Sequence, residues 1–155
     1  MTAARVAAGV AAVAAVGVLA WRPWQDVRAR PVQWRDLTQR VGPLELARPA
    51  NQAIATEADL RRFLRVQVPA RLPRLPAIDF RRERAVIVSP GPRSSTGYGV
   101  AVVAVTRRGA RTEVTLRETA PSLGAAVEPR VTHPYRLLAI ATTGDDISFR
   151  WLGRP

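Results

Sequence analysis

From Ala85 to Leu152 the chain is a succession of apolar runs cut by short clusters of Gly, Pro, Ser and Asp. "AVIVS" (85–89) is continuously apolar and is stopped by "PGP" (90–92), the pattern of a buried strand ended by a turn. "YGVAVVAVT" (98–106) repeats it, and "RRGA" (107–110) supplies a Gly-containing turn into "RTEVTLRET" (111–119), so these two strands should form a hairpin. In 111–119 the residues alternate: Val114 and Leu116 face one way, and Arg111, Glu113, Thr115, Arg117 and Thr119 the other. That alternation predicts one wet face. After a loop at "APSLGAAVEP" (120–129) come "YRLLAIATT" (135–143), the turn "GDD" (144–146) and "ISFRWL" (147–152). Segments this short, joined by turns of a few residues, leave an antiparallel sheet as the natural solution. The pattern predicts an α+β, mainly β domain with a meander-like sheet of about five strands.

Upstream, "TEADLRRFLRV" (56–66) is the strongest helix signal. Thr56 is a suitable N-cap, Glu57 and Asp59 place negative charge in the first turn, and Leu60, Phe63 and Leu64 form one apolar stripe. This helix should cover one face of the sheet. The three prolines of "VPARLPRLPA" (68–77) make an extended connector. Residues 22–55 are rich in Arg and Pro and read as a tether, with room for a short ordered piece at "DLTQRV" (36–41). The domain is therefore expected over 56–155, led by its helix.

The run from Val6 to Trp21 carries no charge. As a helix it spans roughly 24 Å, against the ~30 Å of a bilayer core. Residues 1–21 are thus expected to be an N-terminal hydrophobic helix, either a signal peptide cleaved after "VLA" (18–20) or a short membrane anchor. Trp21, Arg22, Trp24 and Trp34 suit a membrane–water interface, where an indole keeps its N–H wet and its ring in the acyl boundary. Arg22, Arg28 and Arg30 follow the apolar run while Arg5 precedes it, which by the positive-inside rule favours a cytoplasmic downstream side. The position and length of the run favour export, and so a cell-envelope location, anchored or secreted.

Composition narrows the chemistry. With no cysteine, disulfides, thiol nucleophiles and thiolate metal sites are excluded, and the one histidine, His133, makes a zinc site implausible. No metal or other cofactor is expected. The net charge is +12 and every basic residue is arginine, scattered without runs longer than two. Dispersed charge of this kind promises solubility and non-specific attraction without a nucleic-acid footprint. No G-x-S-x-G, Walker-type or dinucleotide glycine loop is present. His133 precedes a proline in "THPY" (132–135), and Asp145-Asp146 follow Gly144 as in a hairpin turn. The chain is expected not to be an enzyme.

"SSTGYGV" (94–100) lies between two strands. Gly97 and Gly99 permit unusual φ and the hydroxyls can satisfy turn backbone, so the stretch is a good turn. The alternative to a plain turn is that it presents Ser94, Ser95, Thr96, Gly97 and Tyr98 to a protein partner, with Tyr98 as an amphipathic anchor and Pro134 and Tyr135 beside it. Taken in order, "IDF" (78–80), an apolar strand, "STGYGVAVVAV" (95–105) and "EVTLRETAPSLGAAVEPRVTHPYRLLAI" (113–140) resemble the C-terminal domain of the PrcB family, described as subunits of a bacterial protease complex. The resemblance implies an exported, mostly β, non-catalytic module whose partner is another envelope protein, a protease being one candidate. It brings no catalytic residues. The T-G-Y loop alone is also similar to a loop of chagasin-like cysteine-protease inhibitors, whose other binding loops are not identifiable in this chain. A basic surface-binding protein of the envelope is a further alternative.

Overall fold

The run at Ala85–Val88 is apolar at every position because both of its faces are covered. In the computed structural model, which describes residues 28–68 and 73–153, it forms strand β4 (Arg84–Ser89) in the interior of a four-stranded sheet. That sheet has the order β2 (Trp34–Asp36), β7 (Arg136–Ile140), β4, β3 (Ala50–Ile54), with every neighbour antiparallel. One face of β4 and β7 presents Ala85, Ile87, Leu137 and Ala139 to a cluster closed by the two helices, α1 (Thr38–Val41) and α2 (Glu57–Gln67). The other face presents Val86, Val88, Leu138 and Ile140 to a second sheet. The molecule therefore has three layers, helices, sheet and sheet, with the apolar strands in the middle one.

The second sheet has the order β1 (Arg30–Pro31), β5 (Gly99–Arg108), β6 (Arg111–Thr119), β8 (Ile147–Trp151). β5 and β6 form the expected hairpin. Arg108 pairs with Arg111, and the turn between them contains Gly109 at φ 62°. The register shifts at Val103, which bulges outward and is exposed. β6 contributes Val114 and Leu116 to the inter-sheet core, as the alternation requires.

The single meander is not what forms. "YRLLAI" is apolar on both faces, so as β7 it crosses to the middle sheet, where both faces find cover. The chain then returns as β8, which lies parallel to β6. The parallel pair follows from that crossing, since two strands separated by an intervening strand in the other sheet need no hairpin.

Helix α2 matches its signal. Thr56 is the N-cap, its Oγ1 accepts from the Asp59 N–H (3.1 Å), and Leu60 and Leu64 are buried. Phe63 packs against the same cluster.

The expectation of a tether over 22–55 is corrected where that stretch is described. Residues 30–54 supply β1, β2, α1 and β3, together with Leu37, Val41, Leu44 and Leu46, all buried in the helix-side cluster. Arginine and proline density conceals an apolar residue every few positions. β1 and β2 are one nearly continuous extended segment that leaves one sheet for the other. The Val32 N–H donates to the Val105 carbonyl (2.9 Å), and the Ala141 N–H donates to the Gln33 carbonyl (2.9 Å). The expected N-terminal helix over 1–21, with Trp21, Arg22 and Trp24, lies outside the described residues. Among the described residues no helix is long and apolar enough to cross a membrane. Trp34 lies on β2 and is 38% exposed.

If 37–46 is core, truncating it must hurt. Leu46→Ala should lower unfolding free energy by about 3 kcal/mol in urea titrations, the cost of a buried leucine cavity, where a true tether residue would register almost nothing.

Candidate functional site

The loop between β4 and β5 turns on Arg93. Its backbone is paired with Thr132 in both directions (2.8 and 2.9 Å). Its guanidinium forks onto the Glu118 carboxylate, through Nε to Oε1 and Nη2 to Oε2 (2.9 Å). Nη1 donates to the carbonyls of Pro90 (3.2 Å) and Pro92 (3.1 Å). The Glu118 side chain is only 4% exposed. A carboxylate that far from water needs a paired cation with its hydrogen bonds satisfied. In turn the hydrogen bonds to Glu118 hold the Arg93 proton more tightly than usual, outweighing the effect of its own desolvation.

Beyond Arg93 the loop is fastened to the long connection between β6 and β7. The Thr96 N–H donates to the Glu128 carbonyl (3.0 Å), the Glu128 N–H donates to Thr96 Oγ1 (2.9 Å), and Thr132 Oγ1 donates to the Ser95 carbonyl (2.8 Å). Gly97 sits at φ 92°, and a Cβ there would stand 2.9 Å from Pro121 Cβ. At Gly99 a Cβ would stand 2.8 Å from Thr119 Oγ1. Both glycines are therefore demanded by close packing, and Gly97 by its backbone conformation as well. Ser94 and Gly97 remain exposed, while Ser95, Thr96 and Tyr98 are half-buried. The Tyr98 ring lies under the Arg93 guanidinium, 6.0 Å from carbon to centroid, within reach of a cation–π attraction.

Tyr98 forms one wall of a cleft of about 390 Å³, with Arg93, Glu118, Pro90, Asn51 and Trp151 among its other walls. The cleft occupies one end of a gap where β3 and β8, edge strands of different sheets, face each other. Trp151 Nε1 donates to Asn51 Oδ1 across that gap (3.1 Å). Toward the other end, Gln52, Ile54, Phe63, Arg84, Asp145 and Ile147 line a second opening of about 520 Å³. Asn51, Gln52 and Ala53 of β3 are exposed, with Pro49 at the cleft end of that edge and Asp59, Arg62, Arg84 and Asp145 at the other.

The two remaining sequence candidates do not join this site. Pro134 is half-buried and its carbonyl accepts from Ser89 Oγ (2.8 Å). Tyr135 is 7% exposed and belongs to the helix-side core, where its hydroxyl donates to the Gly42 carbonyl at the end of α1. Burial pushes its pKa up to about 12, assisted by the negative charge of Asp36. A tyrosine following a proline at a strand end reads as an exposed anchor, but its ring is needed to fill the space beneath α1.

His133 is equally structural in placement. Its Nδ1 lies 3.0 Å from the Leu46 carbonyl, so that nitrogen carries the proton and ties the 44–46 segment to the sheet. Asp145 and Asp146 face Arg84 (3.0 Å) and Arg111 (3.2 Å). Among the described residues no three His, Asp or Glu side chains converge as a metal site would require.

Of the cleft's lining residues only Tyr98 is among the sequence candidates; Arg93, Glu118, Asn51 and Trp151 are not. One of them left a signal. Glu118 continues the Val114, Leu116 series at two-residue spacing, so it falls on the inward face, where a carboxylate demands a basic partner.

Residues 84–141 match the family model described as PrcB C-terminal. The matched stretch runs from β4 through β7 and contains the loop, Arg93 and Glu118. It excludes β3 and β8, which close the cleft. Neither a curated protein nor a solved structure matches the chain.

Two outcomes follow from these contacts. Arg93→Ala strands the buried Glu118 carboxylate and should cost about 3 kcal/mol in denaturant unfolding, with Glu118→Leu in the same background recovering part of the loss. For Tyr135, an unfolded-state pKa near 10 lies below the folded value of about 12. Its contribution is thus complete below pH ~10 and is lost as pH rises toward 12, by up to about 3 kcal/mol. Tyr135→Phe should unfold with a flatter pH dependence over that window, while giving up about 1 kcal/mol at neutral pH with the hydrogen bond to Gly42.

Proposed function

We propose that the chain is a non-catalytic protein-binding module of the cell envelope, resembling the accessory subunits of a bacterial protease complex with which the family of residues 84–141 is associated. The observation that carries this reading is the cleft between Tyr98 and Trp151, set at the end of the edge strand β3, whose residues 51–53 are exposed. An extended segment of a partner can add to such an edge through backbone hydrogen bonds while placing one side chain between the two aromatic rings. The ionisable groups of the cleft, Arg93 and Glu118, are engaged with each other, which leaves them poorly suited to acid–base work and well suited to fixing the shape of the wall. The same fastening argues against the inhibitor alternative. Ser95 and Thr96 are held down on the 120–132 connection and do not project as a loop entering a protease active site must.

A photo-crosslinking residue at Tyr98 distinguishes these readings in intact cells. It should yield a covalent adduct with one discrete envelope protein, and the same residue at the exposed Arg117 should not. Adducts of equal yield from both positions, or none from Tyr98, would sink the assignment of the cleft. Titration of the purified chain against a papain-like protease should leave the protease fully active at micromolar concentrations.

A further inference from the structure

The register of β1 on β5 sets Arg30 directly opposite Arg107. Like charges in that position repel and weaken the pair. One residue on, Arg108 begins the hairpin turn and is exposed, and Arg28 precedes β1 and is exposed as well. Arg28, Arg30, Arg107 and Arg108 take part in no ion pair among the described residues. The acids on the neighbouring elements are already committed, since Glu113, in register with Thr106, faces Arg150 (3.8 Å) and Asp146 holds Arg111 (3.2 Å). This end of the molecule thus concentrates positive charge with its internal counter-charge used up. An exposed Trp34 stands on the same entering segment, four residues beyond Arg30.

The arginine-rich end is also where the chain enters from the apolar run ending at Trp21. The seven residues from Trp21 to Arg28 reach at most about 25 Å even when fully extended. If the apolar run lies in a membrane, this end of the domain is held within that distance of the headgroups. We propose that it docks on anionic lipid, with Arg28, Arg30, Arg107 and Arg108 facing the phosphates. The inference rests on the reading of residues 1–21 as a membrane segment. Arginine suits the task because its planar fork matches phosphate geometry and is weakly hydrated. Each arginine near such a surface is worth roughly fivefold in partition.

The test uses the full chain with vesicles of phosphatidylcholine alone and of phosphatidylcholine mixed with phosphatidylglycerol. Binding to the neutral vesicles reads the apolar segment by itself, so its failure would remove that segment's role independently of the arginines. The excess on anionic vesicles reads the arginine end. Arg30→Glu with Arg108→Glu should remove at least about tenfold of that excess at low salt, and raising salt should erase the difference. Arg48→Glu with Arg117→Glu makes the same change in net charge at the opposite end and should keep the excess. Folding of the first variant is secure, because Arg30→Glu sets a carboxylate opposite Arg107 and replaces repulsion with attraction, and matched thermal unfolding checks it. No anionic excess, or equal losses in both double variants, overturns the proposal. So does a single-stranded DNA oligonucleotide that displaces the chain from anionic vesicles through the same two arginines, since the face would then be one for nucleic acid.

Discussion

Burial of β4 and β7 on both faces is the constraint on which the rest of the structure depends. Strands with Ile87 and Leu137 on one side and Val86 and Leu138 on the other cannot lie on a two-layer sandwich with one face wet. They need a sheet on one side and helices on the other, and the chain provides both. The helix side is supplied mainly by residues before 69, and the sheet side mainly by residues after 98. The stretch matched by the family model contains the double-faced strands and most of one of their two covers. The remaining cover comes from 30–68, which is why those residues belong to the domain despite their tether-like composition.

The Arg93–Glu118 pair is the second organising interaction, and it acts locally. Glu118 places a charge on the inward face of β6, and Arg93 neutralises it while gathering the carbonyls of Pro90 and Pro92. The pair thereby fixes the bend after β4 and sets the Tyr98 ring in place. A hydrophobic pair in the same position could stabilise the sheet equally well. What it could not do is direct the N–H donors of a planar guanidinium into fixed angles and so give the cleft wall a single shape.

Much of the strand pattern was legible in the sequence, because continuous apolar runs and strict alternation report burial directly. The ends of the 85–89, 98–106, 111–119 and 147–152 segments needed adjustment by only a residue or two. Helix α2 was equally plain, its cap, first-turn acids and apolar stripe all agreeing. Which strand neighbours which was not legible, since turn chemistry specifies a hairpin only where the connection is short, as at Gly109. The 120–135 connection carries no such instruction, and its crossing to the middle sheet is decided by packing. The β1–β3 strands were hidden because they are brief, largely exposed and interrupted or flanked by Pro and Arg. Of the loop candidates, Ser94 through Tyr98 do sit together at an accessible edge. Tyr135 looks similar by local sequence, and only the space beneath α1 separates the two tyrosines.

The β1–β2 segment has a mechanical consequence. It is bonded to β5 in one sheet and to β7 in the other, and it is the route by which the chain enters the domain. A pull on the N-terminal side therefore cannot peel away a single edge at the outset. Drawn along the strand axis, it loads the hydrogen bonds at Val32, Gln33 and Trp34–Asp36 together in shear, and both sheets share the tension before either one opens.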